Sequence, residues 1–395
     1  MGPMVVEIEA VEWKIPLADL DYGEEEEQAV LQVLRSRWLT MGSRTAEFEA
    51  AFREAAGAPF AVAVSNATQA LHLSCLALGI GPGDEVIVPS LTFVASANAV
   101  LYTGAEVRFA EVTGPDDLTL SPESIEQQIT SRTRAILVVH YGGYPCRMPE
   151  IMEIAGRHGL AVIEDAAHAP GASLEGRALG TWGDAGCFSF FSNKNLSTGE
   201  GGMLVTSRED IAEKARLLRS HGMTSLTWDR HQGRASSYDV VLLGYNDRID
   251  ELRSALGLVQ LRKLNANNAR RAELTRFYWD ALEDLLPAGL LLPFQHRTGE
   301  AGVQPSYHIL PILLPEYVDR SSVIAALRQS GIQTSIHYPP VHRFSYYAAR
   351  YPDASLPCTE AIAARQLTLP LYPGLSPEGV QQVAGALKRA LVLAA

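Results

Sequence analysis

The chain has 395 residues, 47% hydrophobic and 20% charged, which is enough for about two domains around substantial cores. Its formal net charge of -12 comes with no Lys/Arg run, so a nucleic-acid partner is not expected. No apolar run approaches transmembrane length, and no membrane association is expected.

The N-terminal stretch "MGPMVVEIEAVEWKIP" is acidic early and lacks the apolar core of a secretory leader, and Val6 stands where a myristoylation signal needs Ser or Thr. Cys75, Cys146, Cys187 and Cys358 are scattered without CxxC spacing. They read as reduced thiols in a cytoplasmic protein.

From about residue 24 to 260 strand and helix patterns alternate. "FAVAVSN" (60–66) predicts a strand, and "ATQALHLSCLALG" after it repeats apolar residues at helical spacing. "DEVIVP" (84–89) predicts a second strand, followed by a helix over "SLTFVASANAVLYTG" (90–104). "AEVRFAEV", "TRAILVVH" and "GLAVIEDAA" are further strands, with helices at "SPESIEQQI" and "MPEIMEIAGRHG". The alternation predicts an α/β fold, a largely parallel sheet with helices on both faces. Beyond Asp250, an expected N-cap, a helix-rich stretch runs to about 285. "YHILPILL", a helix at 320–330, "IQTSIHY" and helices near 359–367 and 376–391 suit a smaller α+β C-terminal domain. The expected division is 1–255 and 256–395.

Ligands of doubly wound sheets sit at the C-terminal ends of the strands. Asp165 ends the strand "LAVIED", either as a turn acid or as a carboxylate held in a poorly solvated cleft for a cation. At ~4 Å and an effective dielectric near 20, such a pair is worth about 4 kcal/mol. His168, three residues on, would by itself be structural.

Lys194, in "FSFFSNKNLSTGEGG", follows aromatics and sits among small polar residues with no adjacent acid. A surface lysine is one reading. The other is an amine with a depressed pKa, which a Schiff-base lysine needs because only the neutral form attacks. "VSNATQAL" (64–71) reads as strand, tight turn and helix start, an anion site to which Thr68 and Ser189 could add hydroxyls. Phe93 could stack on an aromatic cofactor or fill the core. No GxSxG elbow or Walker loop occurs, and "HYPPVH" does not space its histidines as a metal-binding helix face. No metal is expected.

These parts together resemble the DegT/DnrJ/EryC1/StrS family of pyridoxal-phosphate-dependent sugar aminotransferases, with the fold type I aminotransferase architecture. The matching stretches include "FREAAGAPFAVAVSNATQALHLSCLALGIGPGDEVIVPSLTFVASANAV", "VIEDAAHAPGAS", "FSFFSNKNLSTGEGGMLVT", "LGYNDRIDELRSALGLVQL" and "HYPPVH". They lie between about residues 36 and 342. The resemblance implies that Lys194 forms the internal aldimine and moves protons, while Asp165 pairs with the pyridinium nitrogen. It places His168 near the ring's phenolic oxygen, Phe93 on the ring, and Ala67, Thr68, Gln69 and Ser189 at the phosphate. Asn246 would reach the phosphate from a neighbouring subunit, which implies a homodimer. His337, Tyr338 and His342 match a segment near the sugar, with Arg248 a further substrate candidate.

Two positions depart from the family pattern. Ala67 stands where many relatives have Gly, and "NDRID" replaces the usual "NYRM". Family dehydratases carry histidine at the lysine position, so Lys194 favours aminotransfer. The expected activity moves an amino group, with L-glutamate as donor, to a keto group of a nucleotide-linked deoxysugar or a related cyclitol. Sugar dehydration and a non-catalytic regulatory protein on the same fold are the alternatives.

Overall fold

Seven apolar runs pair into one sheet: β1 (Phe60–Val64), β2 (Glu85–Pro89), β3 (Glu106–Ala110), β4 (Thr133–Val139), β5 (Ala161–Asp165), β6 (Ala185–Ser189) and β7 (Gly202–Thr206). The structure is a computed structural model that describes residues 12–394, so the leader and myristoylation readings of the first residues lie outside the described residues. The strand order is β1-β7-β6-β5-β4-β2-β3. The pairs β2–β3, β2–β4, β4–β5 and β5–β6 are parallel, whereas β7 runs antiparallel to both β1 and β6. Every residue of β2, β6 and β7 is buried, as strands covered on both faces require.

Helices α1 (Glu24–Ser36) and α2 (Ser43–Ala56) precede the sheet. Its connections carry α3 (Ala67–Ala77), α4 (Ala95–Leu101), α5 (Pro122–Gln128) and α6 (Met148–His158), and α7 (Glu209–Arg219) follows the last strand. Short α8 (Thr227–His231) leads to α9 (Glu251–Leu282), a single helix of 32 residues capped by the Asp250 side chain on Arg253 N–H at 2.9 Å. Phe48, Phe52, Ile151 and Leu264 build the core on one face of the sheet, from α2, α6 and α9. Leu71, Leu73, Ala97 and Leu218 build the core on the other, from α3, α4 and α7.

Gly42, at the cap of α2, offers no side chain, and Glu251 of α9 serves instead. Its carboxylate accepts the N–H groups of Gly42, Arg44 and Thr45 at 2.8, 2.8 and 2.9 Å and the Thr45 hydroxyl at 2.8 Å. One buried side chain thus satisfies the helix start and locks two elements together.

Beyond α9 the antiparallel pair β8 (Leu310–Leu313) and β9 (Gln366–Leu369) packs with α10 (Arg320–Gln329), and α11 (Ser345–Arg350), α12 (Pro357–Arg365) and α13 (Pro377–Ala394) are the remaining helices. A third core joins Leu274, Tyr278 and Leu282 of α9 to Ile312, Leu369, Leu327 and Val383. Helix α9 runs unbroken across the 255/256 division.

One sequence expectation needs correction. The helix predicted over 90–104 begins only at Ala95, because Ser90 and Thr92 spend their hydroxyls on His342 and Ser96 in a loop at the end of β2. "IQTSIHY" makes only the isolated bridges of Ile332 with Ile15 and Ser335 with Thr368.

Candidate active site

The carboxyl ends of β2, β5 and β6 open on one cleft, and Asp165 closes β5 within it. Its Oδ2 accepts the Ser96 hydroxyl at 2.7 Å and its Oδ1 the Ala167 N–H at 3.1 Å. Thr92 backs Ser96, with hydroxyls 2.9 Å apart. Burial pushes the carboxyl above its usual range, against the pull of Ser96, Ala167 N–H and the Lys194 charge. A buried carboxyl with so few donors is a ready partner for a further cation or N–H.

Lys194 follows β6 in a tight turn, its N–H bonded to Phe191 O at 2.9 Å. Burial lowers its amine to about 8, and the Asp165 charge only partly opposes this. About a tenth of the amine is then neutral at pH 7, against a few parts in ten thousand for a free lysine. The acid that the local sequence lacked is supplied from β5, and burial still outweighs it.

The next residue, Asn195, is buried and fully bonded. Its Nδ2 donates to Asn268 Oδ1 at 2.8 Å and to Ser306 O at 2.7 Å, and its Oδ1 lies 2.9 Å from His308 Nδ1. The amide hydrogens are thereby spent, so His308 carries its proton on Nδ1.

His168 lies beside His308, with ring centroids 4.4 Å apart and planes tilted by 43°. Gly142 N–H can only donate, so His168 Nδ1 accepts it at 3.2 Å and the proton sits on Nε2, 2.9 Å from the Tyr338 hydroxyl. Burial, aided by the Lys194 charge, holds His168 and His308 well below the ordinary histidine range and His337 at about 4. All three rings are therefore neutral beside the lysine. Phe93 is 57% exposed at the mouth, 5.9 Å from the Tyr338 ring, which removes the core-filling alternative.

The phosphate-type turn starts α3. Asn66 caps Gln69 N–H at 3.0 Å, and the first N–H groups, those of Ala67 and Thr68, face outward from the helix start. A Cβ on Gly202 would come 2.5 Å from the Asn66 carbonyl carbon and 2.7 Å from Ala67 N, so glycine lets β7 lie against this turn. Ser189 ends β6, its hydroxyl 3.4 Å from Phe191 N–H. The segment carrying Asn246 and Arg248 lines the free edge of β1: Arg248 bridges Val64, and Ser65 N–H bonds Asp247 O at 2.9 Å.

His342 is placed differently. Its Nδ1 lies 2.7 Å from the Ser90 hydroxyl and its Nε2 3.0 Å from Glu360, so both nitrogens are engaged in a buried network. His337 has Nδ1 3.0 Å from the Thr368 hydroxyl. Trp38, in the loop after α1, and Trp228, in α8, meet with rings 4.8 Å apart.

Sequence reading passed over Ser96, Gly142, Asn195 and His308. Asn195 stands next to Lys194 in the same loop, and Gly142 lies in the loop at the carboxyl end of β4, which are the local signals they carried. Among the described residues, no group of three His, Cys, Asp or Glu side chains is placed to hold a metal, and no helix is long and apolar enough to cross a membrane.

A model of the DegT/DnrJ/EryC1/StrS aminotransferase family matches residues 20–388. The spore coat polysaccharide biosynthesis protein SpsC of Bacillus subtilis is 41% identical over 93% of this chain and 94% of its own. The aminotransferase TlmJ of Streptoalloteichus hindustanus superposes with a TM-score of 0.88 at 35% identity, over 96% of this chain and 99% of its own. Spr1654 of Streptococcus pneumoniae, solved in its pyridoxal phosphate form, gives 0.87 at 26% identity, over 96% and 99%.

Proposed function

The chain belongs to the DegT/DnrJ/EryC1/StrS aminotransferase family, and from that premise we propose that it transfers an amino group from L-glutamate to a keto group of a nucleotide-linked deoxysugar or related cyclitol. That it is a sugar aminotransferase with the fold type I architecture follows from the family and its structural neighbours. The observation that carries the reading is Lys194, its amine lowered to about 8, sharing a cleft with the buried carboxyl of Asp165.

The residues fit pyridoxal phosphate. The under-bonded Asp165 carboxyl suits a ring N–H, and the start of α3 with Ser189 suits a phosphate. Bound there, the group supplies an electron sink that takes up and passes on the amino nitrogen. Asp165 would hold the ring nitrogen protonated, and Phe93 would cover one ring face. Lys194 Nζ would be the covalent anchor and the base that carries the proton at the reacting carbon. His168, its Nε2–H fixed by Gly142, would orient the phenolic-oxygen side through Tyr338.

We assign His337, Tyr338 and Arg248 to the substrate side and leave His342 in its structural network. The Trp38–Trp228 contact would shape the sugar entrance. A homodimer is part of the proposal. Tyr238, Val240 and Val241 are exposed beside Leu243, which is 85% exposed, and this strip precedes Asn246, the residue expected to reach a neighbour's phosphate. Domains of 1–255 and 256–395 and a cytoplasmic location complete it.

The test is the visible spectrum of the purified protein before and after L-glutamate. A yellow band that bleaches supports both the Lys194 attachment and the donor. A band that ignores glutamate points to another donor or another reaction. A protein left colourless by added pyridoxal phosphate would overturn the reading in favour of a non-catalytic role.

A further inference from the structure

Close to Lys194 lies a cavity lined by Leu17, Ala18, Asn193, His308, His337 and Thr368, with about 10 Å³ for the centre of a water-sized sphere. A space of that size holds one water when two to four polar groups face it. Leu17, Ala18, Ile309, Leu369 and Leu371 contribute apolar walls. The polar groups come from the lysine loop, through Asn193, and from segments beyond α9, through His308, His337 and Thr368.

Asn193 Oδ1 is a buried acceptor without a hydrogen-bond partner among the described residues. His308 holds its proton on Nδ1, committed to Asn195 at 2.9 Å, which leaves Nε2 as a bare acceptor. Thr368 Oγ1 accepts Gln366 Nε2–H at 3.0 Å and lies 3.0 Å from His337 Nδ1, to which its own proton can be given. With Nδ1 accepting that proton, His337 carries its own on Nε2 as a donor. Burial keeps both rings neutral. Two acceptors and one donor match the two hydrogens and one lone pair of a water molecule.

We propose that this cavity is a single-water site joining Asn193 Oδ1, His308 Nε2 and His337 Nε2. His308 then fastens both neighbours of Lys194, Asn195 directly and Asn193 through the water. The lysine's backbone is held from both sides by a ring that also reaches Thr368 of β9 through the water and His337. The inference rests on the geometry around Lys194 alone, and its failure would leave the aminotransferase reading untouched.

The experiment is a high-resolution crystal structure of the full-length protein together with the imidazole 15N spectrum. The expected result is a water peak 2.7–3.2 Å from Asn193 Oδ1, His308 Nε2 and His337 Nε2. His308 should show the Nδ1–H tautomer and His337 the Nε2–H tautomer. An empty cavity, a peak that misses Asn193 or His308, or a proton on His308 Nε2 would overturn the proposal. Asn193→Leu should abolish the peak and shift the His308 Nε2 resonance; a peak that persists in the variant also overturns it. Should that variant fail to fold, the wild-type density and tautomers decide the matter.

Discussion

His168 donates its Nε2–H to the Tyr338 hydroxyl at 2.9 Å, although 170 residues separate them in the chain. The direction is forced by Gly142, whose N–H occupies Nδ1. Tyr338→Phe would leave a buried N–H without its acceptor, at a cost of about 1–3 kcal/mol. Urea unfolding of the cofactor-free protein measures this. A variant as stable as the parent would mean that the pair does not form.

Asp165→Asn keeps the shape and removes the charge. A carboxylate about 4 Å from a ring cation is worth about 4 kcal/mol at an effective dielectric near 20, which corresponds to about a thousandfold in rate. The glutamate half-reaction should slow by that order. Because the Asp165 charge raises the Lys194 pKa, the variant's amine should titrate below about 8. An upward shift would contradict the arrangement.

The two residues on which the proposed reading rests were legible because their signals are local. Asp165 is an acid at the end of an apolar strand, and Lys194 is a lysine in a loop of small polar residues. The alternation of strands and helices likewise gave the layered sheet. The reversed direction of β7 has no local signal, since an apolar five-residue run reads the same both ways. His308 was illegible for a related reason: its partner Asn195 lies 113 residues away, and one buried histidine resembles another until its neighbours are known. The loop at 90–94 misled because its apolar spacing fits a helix while its hydroxyls are bonded to His342 and Ser96, contacts that only the tertiary fold creates.

Gly202→Ala tests the phosphate turn without touching a polar side chain. The new methyl would stand 2.5 Å from the Asn66 carbonyl carbon and 2.7 Å from Ala67 N, both backbone, so β7 or the start of α3 must shift. Overpacking of this kind costs about 1–3 kcal/mol. If that strain falls on the cradle, pyridoxal phosphate binding weakens about tenfold or more. Equilibrium dialysis against circular dichroism separates this from unfolding. Unchanged affinity in a folded variant would place the phosphate elsewhere.

Covalent capture of pyridoxal phosphate by the cofactor-free protein should follow the neutral fraction of Lys194. With the amine at about 8, the rate climbs with pH up to that value and levels above it. An unperturbed lysine would keep climbing to about 10.4. The same shift has a stability counterpart. Between about 8 and the ordinary lysine pKa the unfolded chain binds the proton that the folded chain has released. Stability of the cofactor-free protein from this group therefore rises with pH across that window. Lys194→Ala should remove both effects and cut turnover by about 10²–10⁴-fold or more, as expected for loss of a proton-transferring group. Stopped-flow absorbance across pH gives the first and urea titrations at paired pH values the second. A capture profile still rising past pH 10 would show that the cleft does not depress this amine.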